Sequence, residues 1–345
     1  MRCVACVLAC WWVAIGGVAI GGEPARLGVL ISIDGLSQDN LLAYRSLYTS
    51  GLKRLLDEGR VHTETNYSHM NTETGPGHAS LGTGALPCRH GITANEWFEP
   101  DPTGKLKSAY CVDVPNGPGA GRLLLDTLAD RLVAQHPGAR VVAISGKDRG
   151  AILLAGRSPQ HAVFWYDRRN SGFRTSAAYA GSRAGTPAGN VLDHFNAQRA
   201  AALAQLDAAE FIWKPLRRPD LPPLKTANLA MHQWPVVGLG FDHDLRLHSN
   251  GAAAGAYHSP LVDHLSLDLA MAILDDEAMA LGRDSVPDML LLSLSGHDNV
   301  AHYYGPESLE TRDTLLRLDL ELGRLLDTLE RRIGREHVAV ALSSD

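Results

Sequence analysis

RLGVLISIDG, at residues 26–35, is an apolar run of strand length that ends in a carboxylate and a glycine. This pattern is typical of a buried parallel strand that delivers Asp34 at its C-terminal end. Two later apolar runs also lead into an aspartate: PDMLLLSLSGHDNVAH at residues 287–302 continues to a carboxylate and an imidazole, and HVAVALSSD at residues 337–345 ends in a carboxylate. A single aspartate at a strand end is often a turn residue or a helix cap. Three strands that end alike instead favour a shared site at one edge of a sheet.

Strand patterns alternate with helical patterns along the chain. Strands are predicted at residues 28–33, 140–144, 288–294 and 337–342, and helices at residues 121–135, 191–210, 260–281 and 306–333. The alternation predicts an α/β fold with a mostly parallel central sheet and helices on both faces. Residues 23–150 and 257–345 would form this body. Between residues 151 and 256 the pattern loosens, which predicts an inserted cap beside the strand ends or a solvated excursion without a role.

The N-terminal residues 1–22 begin with a positive charge, continue with an apolar run and end in small residues. This order predicts a signal peptide or an uncleaved N-terminal anchor, with a transmembrane helix and a lipoprotein signal as alternatives. A periplasmic or secreted location follows, with membrane association only if the segment stays attached. Cys88 and Cys111 remain outside the segment and would meet an oxidising compartment, so we expect one disulfide. Two free buried thiols are the alternative.

The composition is that of a globular protein. Of the 345 residues, 45% are hydrophobic and 20% are charged, the net charge is −6, and the sequence has no basic run. This charge disfavours polymeric nucleic acid as a partner, because nucleic acid is itself polyanionic.

The segment NTETGPGHASLGTG, at residues 71–84, places a hydroxyl group just before residues that can open a helix. Proline is tolerated in a first helical turn, as at Pro76, so we expect Thr74 to face outward at a helix N-terminus. Amide donors and the helix dipole favour anions there, and phosphate is the anion that fits best. The segment therefore predicts Thr74 as a nucleophile, with an ordinary loop of glycine and proline as the alternative.

Further polar residues follow two of the predicted strands. SGKDRG, at residues 145–150, brings Lys147 and Arg149 to the carboxyl edge of the sheet, although a solvated loop is the alternative. Asp298 and His302 stand four residues apart after the strand at residues 288–294. Carboxylate oxygen and imidazole nitrogen together suit a zinc-like ion.

Together these motifs resemble the alkaline phosphatase superfamily, in particular its bacterial secreted branch with a threonine nucleophile, which is similar to type I phosphodiesterases and nucleotide pyrophosphatases. The motifs are an aspartate after the first strand, Thr-Gly-Pro-Gly-His, Asp-x-x-x-His, and a final Ser-x-Asp. In that branch one histidine follows the last aspartate and another lies much later. We therefore expect these residues to be the N-terminal part of a longer protein, with the C-terminal part of the fold missing, weak zinc binding and poor hydrolysis.

The resemblance implies a site for two zinc ions and one phosphoryl group. The implied residues are Asp34, Thr74 and Asp345 for one zinc, Asp298 and His302 for the other, and Asn95, Lys147 and Arg149 for the phosphoryl oxygens. His78 and His297 are interpreted as structural groups or as groups that support the ligands.

The implied function is zinc-dependent hydrolysis of small-molecule phosphate monoesters through a phosphothreonine at Thr74. The pair Lys147 and Arg149 favours monoesters, because a monoester dianion has more oxygen charge to neutralise than a diester. Two alternatives are a phosphodiesterase or nucleotide pyrophosphatase, and a non-catalytic chain that binds a phospholigand.

Overall fold

A central sheet of six strands organises the described part of the chain. The computed structural model describes residues 24–115, 117–205, 207–216 and 241–345. The strands in these ranges are β1 (Leu27–Ile33), β2 (Glu96–Pro100), β3 (Leu106–Tyr110), β4 (Val141–Ser145), β5 (Ala162–Asp167), β6 (Gly172–Arg174), β7 (Ile212–Trp213), β8 (His243–Asp244), β9 (Asp288–Leu294) and β10 (Val338–Ser343).

The sheet is mostly parallel, as the sequence predicts. Its strand order is β10-β1-β9-β4-β5-β6, and only β6 runs antiparallel to its neighbour. Strands β2 and β3 form an antiparallel hairpin, and β7 and β8 form a second small sheet. Because five neighbouring strands run the same way, their C-terminal ends lie along one edge.

Helices cover both faces of this sheet, which confirms the predicted fold class. The helices of the described residues are α1 (Gln38–Ala43), α2 (Gly51–Glu58), α3 (Thr74–Thr83), α4 (Pro87–His90), α5 (Leu128–Gln135), α6 (Asp148–Ala155), α7 (Pro187–Leu203), α8 (Ala252–Tyr257), α9 (Leu261–Asp275), α10 (Gly296–Tyr304) and α11 (Leu309–Arg332). Alternate strand residues separate two cores. Leu290 and Leu292 join the core that contains α9 and α11, whereas Met289 and Leu291 join the core that contains α6.

Element bounds differ from the predictions where side chains cap a helix. The helix predicted at residues 121–135 begins only at Leu128, because Thr127 and Asp130 form a capping box there. The helix predicted from residue 191 begins earlier, at Pro187, since the Thr186 side chain accepts from the Gly189 N–H. The strand predicted at residues 288–294 has the observed bounds of β9.

The predicted inserted cap, at residues 151–256, begins too early, because its first part belongs to the central sheet. Strand β5 pairs parallel with β4, and β6 pairs with β5, so residues 162–174 extend the central sheet. The apolar run AVFWY in β5 was a visible signal for this strand. The predicted signal segment, at residues 1–22, lies outside the described residues. Among the described residues no helix is long and apolar enough to cross a bilayer.

The predicted disulfide between Cys88 and Cys111 is also wrong, because both cysteines are free. Cys88 is exposed on the short helix α4, whereas Cys111 is fully buried in the core. A Cβ atom placed on Gly75 would lie 3.3 Å from Cys111 Sγ, so this thiol packs against the start of α3. The Cys88 side chain therefore lies at the surface, whereas the Cys111 side chain packs in the core.

Candidate active site

The ends of four parallel strands bring the predicted site residues to one edge of the sheet. Asp34 follows β1, Lys147 follows β4, and Asp298 lies in the first turn of α10, which follows β9. Asp345 follows β10. Asp34, Lys147 and Asp345 are almost completely shielded from solvent. The edge therefore gathers three carboxylates and one ammonium group.

Lys147 lies between two of these carboxylates. Its Nζ is 2.5 Å from Asp34 Oδ2 and 2.5 Å from Asp298 Oδ2. Burial opposes the charge of Lys147, but the two carboxylates outweigh it and raise the pKa of the ammonium. Burial raises the pKa of Asp298, but Lys147 and His302 outweigh burial and lower that pKa. Lys147 is therefore buried between two carboxylates that favour its charged form.

Thr74 is the first residue of α3, as the sequence predicts, and its hydroxyl contacts this charged centre. Thr74 Oγ1 donates to Asp34 Oδ1 at 3.3 Å and accepts from Lys147 Nζ at 3.3 Å. The expected outward orientation is wrong, because Thr74 is only 6% exposed. Asp34 and Lys147 cover the hydroxyl, which the motif on its own could not reveal.

Asp345 is held at the edge by three neighbours. The Gly35 N–H donates to Asp345 Oδ1 at 2.8 Å, and His78 Nδ1 lies 3.1 Å from Asp345 Oδ2. Burial raises the pKa of Asp345, but His78 outweighs it and lowers that pKa. Gly77 is required here, since a Cβ atom at this position would lie 2.5 Å from Asp345 Cβ. The motif glycine thus permits the close approach of α3 to the end of β10.

Asn95 and Arg149 flank the start of α3. The Gly75 N–H donates to Asn95 Oδ1 at 2.7 Å, which leaves the amide NH₂ group of Asn95 available for another acceptor. Arg149 Nη1 donates to the Tyr110 hydroxyl at 3.1 Å, while Arg149 Nε is buried without a hydrogen-bond partner in the described residues. Unused donors on both side chains suit an anion with several oxygens.

His302 is the most open of the predicted residues. Its Nε2 lies 3.3 Å from Asp298 Oδ1, one turn earlier on α10, and its side chain is 63% exposed. The hydrogen bond to Asp298 and the charge of that carboxylate raise the pKa of His302. The structure therefore brings the Asp298 and His302 pair together, but at the outer rim of the site.

A buried hydrogen-bonded chain of His78, Ser293 and Ser145 lies next to the site residues. His78 Nε2 lies 2.8 Å from Ser293 Oγ, and Ser145 Oγ donates to Ser293 Oγ at 2.9 Å. Ser145 Oγ also accepts from the Lys147 N–H at 3.0 Å. This chain ties α3 to the ends of β4 and β9. Sequence reasoning missed it, although the serines that end both apolar strands were a visible signal.

The donor set of the site fits a divalent metal ion such as zinc. Asp34 Oδ2 and Asp345 Oδ2 are buried oxygens, and their described neighbours are Lys147 Nζ at 2.5 Å and His78 Nδ1 at 3.1 Å. Burial and the charge of Asp345 raise the pKa of Asp34, against the opposing effect of Lys147. Oxygen ligands, one imidazole and an excess of buried negative charge are features that a cation would stabilise.

Another set of metal-type side chains lies on the outer helices. Among the described residues, the ligand atoms of His264, Asp268 and Glu321 all lie within 4.8 Å of one another. Arg324 donates to Asp268 at 2.9 Å and also to Glu321, so its guanidinium neutralises both carboxylates. We therefore interpret this cluster as an ion-pair network that joins α9 to α11.

Comparison with known proteins agrees with this geometry. The sequence model of the type I phosphodiesterase / nucleotide pyrophosphatase family matches residues 28–345. This chain belongs to that family. Family membership confirms the resemblance to the alkaline phosphatase superfamily that the motifs indicated.

Several relatives of this family member are alkaline phosphatases. PhoK of Sphingomonas sp is 34% identical over 332 residues, which cover 93% of this chain and 55% of that protein. PhoD of Zymomonas mobilis is 30% identical, covering 91% of this chain and 54% of that protein. The crystal structure of wild-type alkaline phosphatase PafA matches with a TM-score of 0.79 at 26% identity, covering 93% of this chain and 62% of that chain. The chain thus spans between half and two thirds of the length of these relatives.

A second PafA structure matches with a TM-score of 0.76 at 26% identity. In that mutant a threonine is replaced by serine, and an asparagine, a lysine and an arginine are replaced by alanine.

Proposed function

We propose that this protein hydrolyses small-molecule phosphate monoesters, with Thr74 as the nucleophile and two zinc ions as cofactors. The main support is the contact of the Thr74 hydroxyl with the Lys147 ammonium, at 3.3 Å, inside a site that also holds the buried carboxylates of Asp34 and Asp345 and the partly exposed one of Asp298. A hydroxyl beside a buried cation is easier to deprotonate, which is the usual requirement for a nucleophilic threonine.

The PafA mutant gives independent support for the choice of residues. Its four replaced residues have the same types, in the same order, as Thr74, Asn95, Lys147 and Arg149. The threonine and asparagine have the same spacing in both chains, and both chains contain the Lys-x-Arg pattern. We propose that the four residues act on the phosphoryl group in this chain.

The proposed zinc ligands divide into two groups. Asp34, Thr74 and Asp345 would hold one ion, and Asp298 and His302 would contribute to the other. Bound zinc supplies Lewis-acid stabilisation of the hydroxyl and of the leaving oxygen. Each group has fewer than the four ligands usual for zinc, so water, substrate or other protein groups would complete each site.

The chemistry then follows from the positions of the side chains. In the first step the Thr74 hydroxyl loses its proton, the Thr74 Oγ1–phosphorus bond forms while the bond from phosphorus to the ester oxygen breaks, and the leaving oxygen takes up a proton to give the alcohol. In the second step water attacks the phosphothreonine, inorganic phosphate leaves, and the Thr74 hydroxyl is restored. Asn95 and Arg149 would donate to the phosphoryl oxygens through both steps, and Lys147 would neutralise charge beside Thr74.

Phosphodiester or pyrophosphate hydrolysis is the second candidate, favoured by the family match itself. The Lys147 and Arg149 cations argue against it, because a diester carries less charge for them to neutralise. A non-catalytic chain that binds a phospholigand is the third candidate.

Hydrolysis of an aryl phosphate monoester and of the corresponding diester, measured in the whole protein with zinc, separates the three candidates. We expect the larger kcat/KM for the monoester. Equal or greater hydrolysis of the diester would favour the second candidate. Phosphate binding without turnover of either ester would favour the third.

A further inference from the structure

We propose that Tyr110 is a positioning residue for Arg149, and that the β2–β3 hairpin thereby fixes both phosphate-binding side chains at once. The proposal rests on the proposed function, since it concerns the same phosphoryl site. It is carried by three sets of contacts: those between Tyr110 and α6, those between the hairpin and Asn95, and those that attach the hairpin to the protein body.

The first contacts form a closed triangle at the start of α6. The Tyr110 hydroxyl donates to Asp148 Oδ1 at 2.6 Å and accepts from Arg149 Nη1 at 3.1 Å. Asp148 Oδ1 also accepts from the Arg149 main-chain N–H at 2.7 Å. A phenol has one proton to donate and lone pairs to accept with, so Tyr110 satisfies both partners in its neutral form. Burial raises the pKa of Tyr110, which keeps that form.

This triangle restricts a side chain that otherwise has many rotamers. Arginine loses much conformational entropy when it is fixed, so a preformed contact lowers the cost of binding an anion. The Tyr110 contact uses Nη1, whereas Arg149 Nε is buried without a hydrogen-bond partner in the described residues. The guanidinium is therefore anchored at one nitrogen and retains a donor for an oxygen ligand.

The second contacts place Asn95 at the other strand of the same hairpin. Tyr110 is paired with Glu96, and the Cys111 N–H donates to the Asn95 carbonyl at 2.9 Å. Asn95 is thus fixed directly opposite the residue that follows Tyr110. Its side chain accepts from the Gly75 N–H at 2.7 Å, beside Thr74. The open end of the β2–β3 hairpin therefore positions Asn95 directly. Through Tyr110 it also positions Arg149.

The third contacts attach the hairpin to the rest of the protein. Arg122 forms two hydrogen bonds with the Glu99 carboxylate, at 2.9 and 3.1 Å, and its guanidinium carbon lies 5.2 Å from the centre of the Trp97 ring. A bidentate pair with a stacked ring resists displacement better than a single surface contact. The hairpin can therefore act as a fixed support although much of its surface is exposed.

The test compares Tyr110→Phe, Arg149→Ala and the double variant in the whole protein with zinc. Tyr110→Phe keeps the ring and removes only the hydroxyl, and we expect kcat/KM for an aryl monoester to fall roughly 5- to 30-fold. The inhibition constant of inorganic phosphate should rise by a similar factor. In Arg149→Ala we expect kcat/KM to fall roughly 10- to 150-fold. In the double variant kcat/KM should fall no further than in Arg149→Ala alone.

Tyr179→Phe is the matched control, because the Tyr179 hydroxyl donates to the Gly156 carbonyl at 3.0 Å in the core. This control should alter the melting temperature but neither kinetic constant. Asp148→Asn, which weakens the same triangle from the other side, should reproduce part of the Tyr110→Phe loss. Unchanged phosphate inhibition in Tyr110→Phe, or losses that multiply in the double variant, would overturn the proposal. If the wild type hydrolyses neither ester, the proposed function fails, and phosphate binding by calorimetry tests Tyr110 in the same variants.

Discussion

Lys147 carries a buried positive charge whose partners are two carboxylates on different elements. Its contacts with Asp34 and Asp298 join the ends of β1, β4 and β9. Removing one member of a buried ion pair leaves the other charges without compensation, which costs more than the loss of an exposed pair. The same cation also contacts Thr74. At the level of single residues, stability and proposed chemistry therefore depend on one ammonium group.

The Lys147→Met variant tests this dependence. With a chelator present, we expect the free energy of unfolding to fall by about 3 to 5 kcal/mol, because Asp34 and Asp298 lose their cation. With saturating zinc the loss should be smaller, because the metal supplies positive charge to the same carboxylates. Denaturant unfolding under both conditions measures the difference.

Lys53→Met is the control, since Lys53 forms an exposed ion pair with Asp57 on α2. Its effect on the free energy of unfolding should be far smaller than that of Lys147→Met under both conditions, because solvent screens an exposed pair. An equal loss for Lys147→Met with and without zinc would mean that the carboxylates are not metal ligands.

At the level of elements, an imidazole links two long helices. His264 on α9 lies 3.0 Å from Glu321 on α11 through Nδ1 and 3.2 Å from Asp268 through Nε2. The hydrogen bond to Glu321 is the main cause of a raised pKa of His264, with burial opposing it and Asp268 supporting it. Both ring nitrogens lie close to carboxylates, which favour the charged form of His264, whereas Arg324 Nη1, 3.3 Å from Nδ1, opposes it.

The pH dependence of stability has a definite sign for this group. Because the pKa of His264 is raised in the folded state, its contribution is fully present below the unfolded value of about 6.5. The contribution is lost as the pH rises through the folded value. We expect His264→Gln to destabilise the protein more at about pH 5.5 than at about pH 9, measured by denaturant unfolding with a chelator.

His136→Gln, at the exposed end of α5, is the control for this measurement. His136→Gln should change the free energy of unfolding little at either pH value. A penalty for His264→Gln that grows with pH would contradict the assigned network.

Four strands of the central sheet (β1, β4, β9 and β10) and the first site residues could be predicted because they depend on local patterns. Apolar runs that end in aspartate marked β1, β9 and β10, and parallel pairing then brings their ends together. The closed environment of Thr74 could not be predicted, because it depends on Lys147, which is distant in sequence. Tyr110 was missed for the same reason: it ends an ordinary hairpin strand, and only the fold places it beside Arg149.

At the scale of the whole molecule, metal content distinguishes two clusters of possible ligands. We expect the whole protein to bind two zinc ions. His302→Ala and Asp345→Asn should each reduce the content towards one, because each removes a ligand from a different proposed ion. His264→Ala should leave both ions bound, since Arg324 already neutralises its carboxylate neighbours.

Elemental analysis of protein dialysed against a limiting zinc concentration gives these counts. Loss of zinc in His264→Ala, with retention in Asp345→Asn, would transfer the metal site to the outer helices. The same result would remove the basis for metal-assisted chemistry at Thr74.

The covalent intermediate is the most direct test of the whole account. The protein with zinc is mixed with an aryl phosphate monoester, quenched in acid during turnover, digested and analysed by mass spectrometry. We predict phosphate on Thr74 in the wild type, and neither phosphopeptide nor turnover in Thr74→Ala. Phosphate on another residue, or monoester turnover that survives in Thr74→Ala, would contradict the account.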